Sequence, residues 1–231
     1  MRRLFGPASA AVGETVTLDP EARKHAKVLR LELGARVELF DGEGHLADAE
    51  LLAGGEARII RAWTATPTAP LRVLVWGLPK ASAVDTGVRM ATELGVDRIV
   101  PALTERTPRP PSAAKVQRWR RIALEATRQC ERPTCPTIAE PAALPVAATV
   151  EVDQRLVALA RGDRSAAPLA EGSVAIAIGP EGGFTEGEQA LLLDQLGYLP
   201  MHLGQHVLRS ETAVAAALAR IAGASFDLGL G

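Results

Sequence analysis

Two short runs near the C-terminal end hold residue types that can build a ligand site. Val174–Phe184 reads V-A-I-A-I-G-P-E-G-G-F, and Leu203–Ala213 reads L-G-Q-H-V-L-R-S-E-T-A. Each joins an apolar, strand-like stretch to a loop. In the first, Val174, Ile176 and Ile178 alternate with alanine, and Gly179, Pro180, Gly182 and Gly183 follow within five positions. Glycine lets backbone approach a ligand closely, and proline fixes the path of the loop. Two such loops on neighbouring strands would enclose a small-molecule pocket built mainly from main-chain groups. Taken alone, the first run is better read as a tight structural turn. The second run, one helix further on, favours a cofactor pocket.

Other chemistries lack their signatures. No G-x-G-x-x-G follows the strand expected at Leu71–Trp76, and no G-K-[ST] occurs anywhere, which argues against dinucleotide and P-loop phosphate cradles. His202 and His206 are four apart but straddle a strand end and a loop, so metal ligation is not expected. Cys130 and Cys135, the only two cysteines, read as reduced thiols rather than a disulfide or a metal site.

The elements around these loops follow from periodicity. Residues 1–70 read as short strands: Arg36–Phe40, Leu46–Leu52 and Ala57–Trp63, with Asp41-Gly42-Glu43-Gly44 as a turn. One helix is expected at Pro20–Leu31, capped by Asp19. Lys24, His25, Lys27 and Arg30 give it a basic face. This composition suggests a small β-barrel domain, and Thr64–Pro70 reads as a linker.

From Leu71 strands alternate with helices. Strands are expected at Leu71–Trp76, Arg98–Leu103, Arg155–Ala160, Val174–Ile178 and Leu199–Leu203. Ser82 should cap a helix ending at Leu94–Gly95. A long helix is expected from Ser112 to Glu131. Thr185 and Glu188 form a capping box for a helix running to Gly197, and a last helix begins near Ser210 or Glu211 and reaches Gly223. Such βα alternation predicts a mostly parallel sheet with ligands at the carboxyl ends of its strands, where both motif loops fall.

Bulk properties set the frame. The chain has 231 residues, 47% hydrophobic, enough for one large or two small cores. No apolar run approaches a membrane span, and the N-terminal residues do not read as a signal peptide. Net charge is −1, but charge is clustered: residues 105–132 carry eight basic against three acidic side chains, and residues 1–36 seven against four. Of 26 basic residues 22 are arginine, whose planar fork suits phosphate; an Ala- and Gly-rich composition also favours arginine on codon grounds alone. Arg118, Arg121, Glu125, Arg128 and Arg132 form a stripe that reads either as a solvated face or as an RNA-facing surface.

The two runs together resemble the 16S rRNA (uracil-N3) methyltransferases of the SPOUT superfamily. Further segments agree in order: Arg2-Arg3-Leu4-Phe5, His25–Arg30, Leu78-Pro79-Lys80, Ala91–Val96, Glu105-Arg106-Thr107 and Trp119–Ala126 with Gln129 and Arg132. The resemblance covers nearly the whole chain. It implies a small PUA-like, RNA-binding β-barrel at 1–70 and a SPOUT α/β trefoil-knot methyltransferase domain at 71–231. The implied cofactor is S-adenosyl-L-methionine, bound by Ile178, Gly179, Pro180, Gly182, Gly183, Leu203, Gly204, Val207, Leu208 and Thr212. The implied substrate is 16S rRNA of the small ribosomal subunit, methylated at N3 of a uridine. Removing the imide proton needs a base, or cations that stabilise the resulting anion. Arg209 is the candidate contact to the uracil or its phosphate. Glu211 either orients Arg209, accepts a proton, or simply sits where a helix dipole favours an acid. Glu181 either holds the loop or meets the cofactor ribose. RNA contacts are expected from Arg2, Arg3, Lys24, Arg30, Lys80, Arg106, Arg128 and Arg132. The resemblance further implies a cytoplasmic homodimer needing no metal. Two departures stand out: His206 replaces a basic residue, and Ala81-Ser82-Ala83 replaces a Gly-Asp-basic triplet. The alternatives are a SPOUT methyltransferase acting on another RNA and a non-catalytic ribosome-assembly factor.

Overall fold

The computed structural model describes residues 2–66, 70–107, 109–159, 168–169 and 171–225. The middle of the expected linker (67–69), Pro108 in the proline-rich loop and Ala160 at the end of an expected strand lie outside these residues. Two compact units emerge: Met1–Thr68 with Leu124–Cys135, and Ala69–Ala123 with Pro136–Gly231.

The first unit is a five-stranded sheet and one helix. Its strands are β1 (Arg2–Phe5), β2 (Thr15–Thr17), β3 (Arg36–Phe40), β4 (His45–Leu51) and β5 (Glu56–Thr64), in spatial order β1-β3-β4-β5-β2. β1 runs parallel to β3, and the remaining pairs are antiparallel. Alternating residues bury Leu4, Val37, Leu39, Ala47, Ala49 and Ile59 in one core. Helix α1 (Pro20–Val28) starts as expected, with the Asp19 carboxylate accepting from Ala22 N at 2.7 Å. It stops three residues before the expected Leu31. Arg30 takes φ 54°, and the amides of Arg30 and Leu31 turn back to Lys27 O and Ala26 O. That left-handed closure satisfies the last carbonyls and ends the helix.

The second unit is built on an all-parallel sheet. The strands are β6 (Arg72–Gly77), β7 (Arg98–Leu103), β8 (Thr137–Ile138), β9 (Ala142–Ala143), β10 (Gln154–Ala158), β11 (Val174–Ile178) and β12 (Leu199–Met201). Their order is β12-β10-β11-β6-β7-β8, with β9 also on β7. Both β6 and β11 are buried along their whole length. Helices therefore cover both faces, which is why Val73–Trp76 and β11 read as apolar runs. The helices are α2 (Ala81–Glu93), α3 (Ala113–Gln129), whose residues from Leu124 on belong to the first unit, α4 (Leu144–Ala147), α5 (Glu186–Ala190) and α6 (Ser210–Ser225). β12 is an edge strand, yet α6, which follows it, packs on α2 and contacts central β11. The chain thus doubles back from the sheet edge to its middle, the return path that a trefoil-knot topology requires.

Several boundaries differ from expectation for identifiable reasons. Ser82 does not cap α2; Lys80 occupies the cap position without a side-chain bond, and its amide is taken by Glu181 Oε1 at 3.0 Å. A carboxylate 101 residues away in sequence thus fixes the residue that precedes the helix. The helix expected up to Gly197 changes to a π-helical turn at Leu191–Gln195, and Gly197 at φ 68° ends it. β12 ends at Met201, so Leu203 lies in the following loop. Short β1, β2, β8, β9 and α4 carry too few residues to show a period.

Candidate active site

The two motif runs meet at the carboxyl ends of β10, β11 and β12. Between them lies a cavity of about 310 Å³. Ile178 ends β11 and forms its floor with Ala158 and Leu159 from the end of β10. One wall is the loop Gly179–Phe184, and the other is the loop from Leu203 to Leu208. Both loops depend on glycine where the backbone turns. Gly183 has φ 70° and closes a turn by donating to Pro180 O at 2.8 Å, and Gly204 has φ 118°. L-side chains strain in these conformations.

A buried hydrogen-bond chain ties the walls together. Trp76 Nε1, at the end of β6, donates to Ser210 Oγ at 2.8 Å. Ser210 Oγ in turn donates to Gly179 O at 2.7 Å. Trp76 is fully buried and Ser210 nearly so, so the first bond satisfies a donor that water cannot reach. The start of α6 is thereby pinned to the start of the glycine loop. Glu181 holds the same loop from outside through Lys80 N. Of the two roles left open for Glu181, holding the loop is the one with a visible contact, although Glu181 also borders the cavity.

Nine of the ten cofactor candidates line this cavity: Ile178, Gly179, Pro180, Gly182, Gly183, Leu203, Gly204, Val207 and Leu208. Thr212 does not; it lies in the first turn of α6 and is exposed. Arg209 and Glu211 flank the lining residue Ser210 without lining the cavity themselves. Arg209 is exposed, and Glu211 is in the first turn of α6. Sequence reading missed Ala158, Leu159, Phe184, Gln189, Ser210 and Ala213 as lining residues. Ser210 was within the second motif, and its hydroxyl beside a strand-to-helix junction was the available signal. Nothing local marks Ala158 or Leu159.

The RNA candidates fall into different settings. Arg106 lines the cavity, and its guanidinium donates to Gly182 O. Lys80 is exposed at the start of α2. In the first unit Arg2, Lys24 and Arg30 are exposed. Arg3 is spent inside the fold: it donates to Glu38 Oε1 at 2.5 Å and to Arg132 O at 2.8 Å, and it stacks over Phe40 at 4.9 Å. Its methylenes and charge are committed to packing, a role the Arg-Arg pair did not reveal. Arg128 is half-buried, and its Nε has no hydrogen-bond partner among the described residues. Partial burial of His25, and then the positive charge of Arg128, lower the pKa of that imidazole. Arg132 is also half-buried.

Two other features lie in the first unit. A larger cavity, about 560 Å³, is lined by α1 residues including Arg23, Lys24 and Lys27, by leucines, and by Gly54 and Gly55. It includes neither motif loop, so volume alone does not make it the reaction site. Asp41, Glu43 and His45 place potential ligand atoms within 4.8 Å of one another. Their contacts are those of a turn: Asp41 accepts from the amides of Glu43 and His45 and pairs with His45 Nδ1 at 2.6 Å.

A parallel α/β unit with a glycine-walled cleft at its strand ends, in a chain that also carries a small β-rich unit, has the architecture of a cofactor-binding domain. Comparison with known proteins gives the family. An RNA methyltransferase domain model matches residues 64–222, and an RNA methyltransferase PUA domain model matches residues 18–60. The Ribosomal RNA small subunit methyltransferase E of Synechocystis sp. is 35% identical, over 95% of this chain and 76% of that protein. The Mycobacterium tuberculosis protein of the same name is 30% identical, over 90% and 86%. The Neisseria gonorrhoeae enzyme, solved bound to S-adenosyl methionine, superposes with TM-score 0.85 at 28% identity, covering 97% of this chain and 98% of that one. A Legionella pneumophila methyltransferase, also in complex with that cofactor, gives 0.85 at 29%, covering 96% and 97%. The chain belongs to the ribosomal RNA small subunit methyltransferase E family of RNA methyltransferases.

Proposed function

We propose that this protein transfers a methyl group from S-adenosylmethionine to N3 of a uridine in 16S rRNA. The observation that carries the reading is the cleft itself. Its two walls are the two family motifs, and it lies at the strand ends of a fold shared with relatives solved with S-adenosylmethionine. The cleft suits that cofactor: apolar strand ends and Phe184 offer a surface for a flat base, and exposed loop backbone offers hydrogen bonds to polar edges. Ile178, Leu203, Gly204, Val207 and Leu208 with the glycine loop would hold it. When bound, its sulfonium supplies an activated methyl group.

The chain's own residues then have the remaining tasks. Arg209, exposed beside the cleft, places positive charge where the uracil anion spreads onto O2 and O4. Glu211 orients Arg209 or accepts the imide proton. Lys80, Arg106 and the exposed cations of the first unit neutralise phosphates. A homodimer with both subunits contributing to each site, working in the cytoplasm with a PUA-like domain at 1–70 and a methyltransferase domain at 71–231, completes the proposal. Because Arg209 lies off the cavity lining, Arg209→Ala should cut turnover by about 100-fold while leaving cofactor affinity within about threefold. Methyl-labelled cofactor incubated with small subunits lacking the modification should label 16S rRNA. Label appearing only in transfer RNA or large-subunit RNA would replace the substrate, and no label in any RNA would favour a binding-only role.

A further inference from the structure

We propose that Glu188 is a positioning residue that sets the shape of the cleft through Arg106; this rests on the reading of the cleft as the cofactor site. Glu188 is 7% exposed, so its carboxylate is nearly out of water. A buried carboxylate needs partners for both oxygens. It has them, on two separate segments. Oε2 accepts from Thr185 N at 2.9 Å, as a capping box requires. Oε1 accepts from Glu105 N at 2.8 Å, which no capping box requires. The first turn of α5 is therefore clamped to a loop 83 residues away in sequence.

The residue after Glu105 is Arg106, which donates to Gly182 O and borders the cleft. The loop that presents it is stiffened locally: Thr107 N donates to Thr104 O at 3.0 Å, and Thr104 N donates to Thr107 Oγ1 at 3.0 Å. Thr185 Oγ1 adds a bond to Glu105 Oε1 at 3.1 Å. The glycine loop is held from two sides by one carboxylate: directly, where it runs into α5 at Thr185, and indirectly, where Arg106 grips Gly182. A carboxylate whose only duty was capping α5 would leave Arg106 to its own rotamers.

Glu188→Gln keeps the size and one carbonyl acceptor but turns an N–H donor toward a backbone N–H. Two measurements on the full chain test the idea. In calorimetry with S-adenosylmethionine, Glu188→Gln and Arg106→Ala should each weaken binding about tenfold. The double variant should be no weaker than the poorer single, because Arg106→Ala breaks a route that Glu188→Gln already breaks. In hydrogen exchange without cofactor, Glu188→Gln should speed amides at 104–107 and 180–183, with β11 unchanged. Arg106→Ala should speed 180–183 alone. Additive losses, or 180–183 exchange unchanged in Glu188→Gln, would overturn the proposal. Wild-type protein that binds no S-adenosylmethionine would instead overturn the cofactor reading, and the exchange pattern would still decide the role of Glu188.

Discussion

Ser210 shows how much can depend on one hydroxyl. It accepts from Trp76 Nε1, which is buried, and donates to Gly179 O, which is half-buried. Ser210→Ala would strand the Trp76 N–H away from water and remove a partner of Gly179 O. The expected loss is about 1–3 kcal/mol of unfolding free energy, read by urea denaturation, together with weaker cofactor binding. Unchanged stability would mean that water replaces the hydroxyl. Cys135 offers a second residue-scale test. Burial, the leading cause, raises its thiol pKa, because a thiolate is costly away from water. Alkylation at pH 8, followed by mass spectrometry, should modify Cys135 more slowly than a free cysteine. At this scale the sequence exposed the glycine and proline loop residues because their backbone preferences are intrinsic. It concealed the duty of Arg3, because nothing local distinguishes an arginine aimed at solvent from one stacked on Phe40.

The capping box is the element most legible from sequence. Thr185 accepts from Glu188 N at 3.3 Å, and Glu188 answers through Thr185 N, as the T-x-x-E spacing demands. Thr185→Ala should cost about 1 kcal/mol in chemical unfolding. Its activity loss should remain smaller than that of Glu188→Gln, since the Glu188 bond to Glu105 survives. A larger activity loss for Thr185→Ala would shift the clamp's importance to the threonine. The start of α2 was the element misread. Ser82 has the right residue type for a cap, but Glu181 arrives from a distant loop and takes the Lys80 amide. A local rule cannot anticipate a partner 101 residues away. The same limit applies to Ala158 and Leu159, which join the cleft only because β10 lies beside β11.

At the scale of the whole molecule, the sequence revealed a parallel βα arrangement because Val73–Trp76 and β11 are apolar runs between helical periods. The strand order was not legible. Pairing of β11 with β6 joins residues about 100 apart, and no periodicity encodes that choice. A knot was expected only through family resemblance, since ordinary connection rules disfavour threaded chains. The fold brings both motif runs to one cleft, and fourteen of their residues line it. The chemical identity of the product is therefore the sharpest test of the account. Nucleoside mass spectrometry on small subunits lacking the modification, after incubation with protein and S-adenosylmethionine, should show new 3-methyluridine that is lost with Arg209→Ala. A 2′-O-methylated nucleoside, or 3-methyluridine formed equally well by Arg209→Ala, would contradict it.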